Sequence, residues 1–160
     1  MNRPMRIYVD TSVVGGCFDE EFAEHSNKLM SGARDGQFRL LLSNLLFIEL
    51  EDAPEPVRLM IDNLPASTVE MIDIGDEVIA LRDAYLKAQI VGERWRDDAT
   101  HVAAATVARA DCIVSWNLHH IVKLNKIKAY NQVNLLNGYG MLTILTPREV
   151  VGDDENEEKL

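Results

Sequence analysis

The stretch Asp97–His120 restricts the folds open to this chain more than any other. Two acids, Asp97 and Asp98, open an Ala-rich segment that reads as a helix through Ala110. A turn at Ala110-Asp111 leads into the apolar run Cys112-Ile113-Val114, which emerges polar at Ser115-Trp116-Asn117. A helix feeding a short buried strand with hydrogen-bonding groups at its far end suits an open α/β sheet. In such sheets, sites gather outside the carboxyl ends of the strands. One half of a site is expected here and the other half upstream.

The rest of the chain repeats the alternation. Strand-like runs are expected at Met5–Asp10, Phe38–Ser43, Ser67–Ile74, Cys112–Trp116 and Leu142–Leu145. Between them lie helical patterns at Phe22–Ala33, Leu45–Asp52, Val57–Asn63, Glu77–Ile90 and Asp97–Ala110. Leu118–Leu124 reads as a short helix, Asn125–Gly140 as a long Asn- and Gly-rich loop with at most a turn of helix, and Pro147–Val151 as a terminal helix or turn. Strands alternating with helices predict an α/β fold, a mainly parallel sheet covered on both faces. Residues 1–151 read as one domain and 152–160 as an acidic, disordered tail.

No apolar run approaches the roughly 18 residues that span a bilayer. Cys17 and Cys112 form no metal-spaced cluster, which suits free thiols in a reduced cytoplasmic protein. The formal net charge of −10 argues against non-specific nucleic-acid binding. Its distribution is uneven, however: there is no Asp or Glu from Cys112 to Arg148, and that segment carries His119, His120, Lys123, Lys126, Lys128 and Arg148. It is either a solvated face or an anion-binding rim beside the site.

The chemistry rests on acids at the ends of elements. Asp10 ends the first strand, Glu49 lies on the helix after the second, and Asp98 opens the Ala-rich helix. Each has an ordinary alternative: Asp10 a cap for the next turn, Asp97 or Asp98 a helix N-cap, Glu49 a solvated helix residue. Brought together, the three carboxylates repel unless their pKa values rise or a cation neutralises them. Oxygen-only donors suit hard ions such as Mg²⁺ or Mn²⁺, which activate water and stabilise charge on a phosphoryl oxygen.

Four motifs in order carry a resemblance. Ile7-Tyr8-Val9-Asp10-Thr11-Ser12 resembles the opening strand of PIN-domain nucleases. Leu45–Leu50 with Glu49 resembles their second acidic motif, Asp98-Ala99-Thr100-His101-Val102-Ala103-Ala104-Ala105 their third, and Ile113-Val114-Ser115-Trp116-Asn117 their fourth. The match runs over about residues 5–150 and is nearest to VapC-like toxins of bacterial toxin–antitoxin pairs.

The resemblance implies a three-layer α/β/α sandwich and a metal-dependent ribonuclease. Asp10, Glu49 and Asp98 would hold Mg²⁺ or Mn²⁺, Thr11 or Ser12 would assist through a hydroxyl, and Ser115 would help hold the site together. It also implies an RNA substrate, an antitoxin protein as partner and a homodimer; no membrane association is expected, from the lack of a long apolar run. Where many members carry a fourth Asp, this chain has Asn117, which leaves a second ion in doubt and keeps open a degenerate PIN-like module that binds RNA or protein without cutting. Receiver-like and Asp-x-Asp phosphatase readings fit less well, because Thr11-Ser12 stands where each needs a further acid.

Among other residues, His101 shares a helix face with Asp98, as a partner of the site or a structural hydrogen bonder. Trp116 is expected in the core, with base stacking as the lesser alternative, and Cys112 is expected to be buried and inert. Of Phe22, Leu29, Leu46, Leu50, Leu59 and Leu64, some are core and some are open to a partner.

Overall fold

The computed structural model describes residues 3–152. The expected acidic tail otherwise lies outside the described residues. Five strands, β1 (Met5–Val9), β2 (Phe38–Ser43), β3 (Val69–Ile72), β4 (Cys112–Val114) and β5 (Ile144–Leu145), form one sheet in the order β3-β2-β1-β4-β5. Every pairing is parallel. The order reverses at β1, which has β2 on one side and β4 on the other, so the crevice beyond the carboxyl ends of β1 and β4 is the topological switch point.

Period-two alternation assigns the strand residues to two cores. Ile7, Val9, Leu40, Leu42, Cys112 and Val114 face one side. There they meet α1 (Thr11–Gly16), α2 (Ala23–Arg34), α3 (Asn44–Leu50) and α4 (Glu55–Asp62), with Val13, Leu29, Met30, Leu46 and Ile61 as packing residues. Tyr8, Leu41, Ile113 and Ile144 face the other side, against α5 (Asp76–Lys87), α6 (Arg96–Val107) and α7 (Leu124–Leu136). A final short helix, α8 (Pro147–Val151), begins in a Thr146–Glu149 capping box. The result is the expected α/β/α sandwich.

The Ala-rich α6 is buried almost all round: Ala99, Val102, Ala103, Ala104 and Ala105 are fully covered. Small side chains let it lie against both the sheet and α5. It ends through Arg109 in the left-handed region at φ 55°, with Ala110 N–H bonded to Ala105 O at 3.1 Å. Arg6 secures that end. Its guanidinium donates to the carbonyls of Ala108 and Arg109 and forks onto Glu70 at 2.8 and 3.0 Å, tying β1, β3 and α6 together.

Two expectations fail, and one further element is present. Leu118–Leu124 is a run of turns rather than a helix, held by Ile121 and Val122 N–H bonds to Asn117 O. Thr11–Gly16 is a helix, although two glycines weaken it. The expected loop after residue 125 is largely the helix α7. Its asparagines have poor helix propensity, yet tertiary hydrogen bonds recruit two of them. Buried Asn131 pairs with Leu142, accepting from its N–H at 2.6 Å and donating to its carbonyl at 3.1 Å. Fully buried Asn134 bonds Tyr85 and Thr106.

Asn131→Ala should leave the Leu142 amide and carbonyl unpaired in the interior and cost about 1–3 kcal/mol. Urea denaturation measures this; an unchanged midpoint would contradict the role given to Asn131.

Candidate active site

Asp10 follows β1 directly and occupies the N-cap position of α1, but its side chain makes no capping bond. Its carboxylate turns across the sheet edge instead. Ser12 Oγ donates to Oδ1 at 2.6 Å, and Ser115 Oγ, from the residue after β4, donates to Oδ2 at 2.7 Å. The same hydroxyls accept backbone amides: Ser12 from Trp116 at 3.0 Å and Ser115 from Asn117 at 2.9 Å. Burial pushes the Asp10 carboxyl above the usual carboxylate range, against the His101 charge and the two hydroxyls that favour ionisation.

Glu49 lies on the exposed side of α3 but reaches inward. Thr11 Oγ1 donates to its Oε1 at 3.1 Å, and His101 Nε2 meets the same oxygen at 2.5 Å. Burial alone would raise this carboxyl; the hydrogen bond and charge of His101, with Thr11, outweigh it and hold the pKa low.

His101 is itself buried, and its Nδ1 lies 2.7 Å from Tyr8 Oη. Tyr8 donates to Ser43 Oγ at 2.8 Å, and that hydroxyl, the N-cap of α3, accepts from Leu46 N–H at 3.3 Å. With Tyr8's proton on Ser43, its oxygen is left to accept, so the chain of bonds is satisfied when both ring nitrogens of His101 carry protons. Burial opposes that charge; Glu49, Asp10 and Asp98 outweigh burial and raise the pKa of His101.

Asp98, half-buried in the first turn of α6, completes the group. Burial raises its carboxyl; Asp10 adds to the rise, while hydrogen bonding from Asn117 and the charge of His120 oppose it. The Asn117 amide serves two ends. Its nitrogen side holds Asp98, and its Oδ1 accepts the backbone N–H groups of His119 and His120 at 3.2 and 2.9 Å. Asp97 is not the cap of α6. That helix begins one residue earlier, at Arg96 after Trp95, and Asp97 is an exposed residue of its first turn.

Asp10 is thus within electrostatic reach of Glu49, Asp98 and His101, and His101 of all three acids, at the switch point. Among the described residues, no three His, Cys, Asp or Glu side chains stand as a ready-made ligand set. The physical reason is visible at Glu49, which is turned to His101. The donor chemistry nevertheless fits a hard cation: all three acids offer oxygen, and Asp10 and Asp98 bear a burial cost that a cation would relieve.

Beside these residues lies a cleft of about 630 Å³, lined by Ser12, Gly15, Gly16, Trp116, Asn117 and His119 among others. Gly16 is needed there, since a Cβ would come within 2.7 Å of Ser26 Oγ and 2.8 Å of Trp116 Nε1. Trp116 is committed to structure: it stacks on Phe22 at 4.4 Å and donates Nε1–H to Ser26 at 2.8 Å. His119 lines the cleft, while His120 turns the other way and stacks on Trp95.

The basic segment divides. The charges of Lys126 and Lys123 reach His120, and Lys126 also donates to the carbonyl of Ile90. Lys128, two residues on along α7, falls on a different side of the helix. Cys112 is buried, its thiol pushed up to about 12 by burial.

Neither Tyr8 nor Trp95 is among the residues that the sequence marks for the site. Tyr8 had a signal, because a tyrosine inside an apolar strand needs a partner for its hydroxyl. Trp95 stands one helical turn before Asp98.

A family model described as PIN domain matches residues 6–119, the segment that supplies Asp10, Glu49, Asp98 and Asn117. The chain belongs to the PIN-domain family. Three solved structures share the fold of this family member. They are VapBC2 from Rickettsia felis bound to a DNA fragment from its promoter, DNA-bound VapBC from Salmonella typhimurium, and FitAcB from Neisseria gonorrhoeae. The first matches with a TM-score of 0.54 at 16% identity, covering 88% of this chain and 97% of the other. The second gives 0.54 at 16%, with 89% and 98% covered, and the third 0.53 at 13%, with 88% and 97% covered. No match was found among curated proteins.

The pairing of His101 sets a pH dependence. Its folded pKa lies above the ordinary 6.5, so the stabilisation is complete below that value and is lost as pH rises through the folded pKa. Glu49, with a lowered pKa, contributes above its ordinary 4.5 and loses its contribution as pH falls through the folded value. Thermal unfolding should show Tm declining as pH rises above about 6.5, and His101→Gln should flatten that decline. A slope unaffected by the substitution would contradict a charged His101.

Proposed function

We propose that the protein is a metal-dependent endoribonuclease that hydrolyses RNA phosphodiester bonds, and that it is the toxin of a toxin–antitoxin pair. The observation that carries the reading is that Asp10 lies within electrostatic reach of both Glu49 and Asp98 at the switch point, beside an open cleft. Membership of the PIN-domain family supports it.

Asp10, Glu49 and Asp98 would hold Mg²⁺ or Mn²⁺. A bound ion of this kind supplies Lewis acidity, which activates water and neutralises charge on a phosphoryl oxygen. The chain's own part is positioning. Ser12 and Ser115 fix both oxygens of Asp10, so its carboxylate does not reorganise during reaction. Asn117 orients Asp98 and anchors the turn that presents His119 and His120. His101 and Thr11 hold Glu49. His119, His120, Lys123 and Lys126 supply the rim that receives the polyanion, with Lys128 as an outlying contributor.

A protein partner is supported by the solved structures it resembles, which are of VapBC and FitAcB, and by apolar surface on α3 and α4. Leu29, Leu46, Leu50 and Leu64 are core, but Phe47, Ile48 and Leu59 are exposed, and Phe47 lines a cavity of about 230 Å³. The antitoxin and a homodimer contact are both assigned to apolar surface of this type. No described helix is long and apolar enough to cross a membrane; the cytoplasmic location is part of the same proposal.

A second reading, RNA or protein binding without cleavage, is favoured by one observation: Glu49 is paired with His101 instead of being gathered with the two aspartates.

Purified protein should cleave RNA with Mg²⁺ or Mn²⁺ and stop on adding EDTA. Asp10→Asn and Asp98→Asn should each lower the rate by about a hundredfold or more. Cleavage that survives both substitutions would exclude this site, and RNA binding without cleavage at any metal concentration would establish the second reading.

Calorimetry of Asn117→Asp offers an independent check. A further carboxylate beside Asp98 should tighten Mn²⁺ binding by about tenfold, at a small cost in the stability of the metal-free protein. Unchanged affinity would remove Asn117 from the ion's surroundings.

A further inference from the structure

Trp95 ends a short turn of 3₁₀ helix, Glu93–Trp95, that runs without a break into α6. It remains 38% exposed even though two groups lie against it. The His120 ring stacks on it at 4.2 Å with an interplanar angle of 25°, and the Arg94 guanidinium carbon lies 5.0 Å from its centroid. An indole seated on a hydrogen-bonded turn, yet open to solvent, has no core to fill.

This stack is coupled to the acidic site by two routes. Trp95 and Asp98 are three residues apart on one helical run and so share a face. The His120 backbone N–H donates to Asn117 Oδ1, and the same Asn117 side chain bonds Asp98. The surroundings carry both signs: Arg94 is exposed and Lys123 and Lys126 lie within electrostatic reach of His120, as does Asp98, while Glu93 is paired with Arg96. Trp116, the other tryptophan, is used up by Phe22 and Ser26 on the opposite side of the His119–His120 turn.

We propose that Trp95 and His120 form a stacking platform for one unpaired RNA base, which takes the indole face that Arg94 covers, with Arg94 moving to an adjoining phosphate. The inference rests on the ribonuclease reading and adds to it the residues that contact a base. Base–aromatic stacking tolerates any base but requires one that is free of a duplex. Arginine is suited to the outer place because it both lies on an aromatic face and bonds phosphate through its fork.

Binding of a fluorescently labelled single-stranded oligoribonucleotide to the full chain in EDTA, followed by anisotropy, tests this without turnover. Trp95→Ala should weaken binding about tenfold or more, and Trp95→Phe should stay within about threefold of the parent. Arg94→Ala should lower the salt slope by about one, whereas Trp95→Ala leaves the slope unchanged. A perfect RNA duplex should bind no more weakly to Trp95→Ala than to the parent. Unchanged single-strand affinity in Trp95→Ala overturns the platform, as does a Trp95→Phe variant as weak as Trp95→Ala. A Trp95→Ala protein that binds RNA normally but loses a protein partner overturns it too, because the stack is then a protein contact. If the parent chain binds no RNA at all, the ribonuclease reading fails first. Thermal unfolding of each variant separates loss of binding from loss of fold.

Discussion

The pair of hydroxyl bonds that closes β1 onto β4 is the constraint around which the site is built. Asp10 and Ser115 leave adjacent parallel strands at the point where the sheet order reverses. An ionisable carboxylate buried there would be costly unless bonded, and Ser12 and Ser115 bond one oxygen each. Because those serines also accept the amides of Trp116 and Asn117, the hydroxyls lock the path of the chain after β4 while fixing the acid. Folding and site assembly are therefore one event: the register between Val9 and Val114 that buries the core also aims the carboxylate.

A second constraint is charge. Several acids in a half-buried space repel, and the fold answers with His101, on the same helix as Asp98, whose pKa those acids raise. The ring is held from behind by Tyr8, which is bonded to Ser43, the cap of the helix that carries Glu49. A strand residue, a cap and an imidazole thus set where Glu49 stands. That chain explains how Glu49, on an otherwise solvent-facing stretch of α3, becomes part of the site. It also explains why the acids do not close into a ligand set: one of them already has a partner.

The two sides of the Asn117–His120 turn divide the surface around the acids. On one side, Trp116, His119 and the glycines of α1 border the open cleft, and Gly16 is indispensable because the Trp116 indole occupies the place of its missing side chain. On the other, His120 meets Trp95 at the start of α6. Asn117, which bonds Asp98 and both following amides, joins the two sides to the site. Its amide does this work as a neutral two-ended linker, a role that a carboxylate would fill only for the amides and not for Asp98.

Local pattern was enough for much of this. The alternation of apolar runs and helical spacing defined the parallel sheet and its covering layers, because burial on both faces leaves a strand little choice of composition. Acids placed at the ends of elements identified Asp10 and Asp98, since strand ends and helix starts in such a sheet share one edge. Other features required the tertiary structure. Asn131 and Asn134 make α7 a helix by bonding Leu142, Tyr85 and Thr106 from other elements, against their own propensity. Glu49 looks solvated along its own helix and becomes internal only when His101, distant in sequence, reaches it. Trp95 and Trp116 are the same residue type, and only their neighbours make one a packing residue and the other an open ring. The sequence by itself determined which residues can be buried and which can carry charge, because hydrophobic period is a local property. The tertiary structure decided which polar groups meet, because a hydrogen bond or an ion pair depends on distances that no local pattern contains.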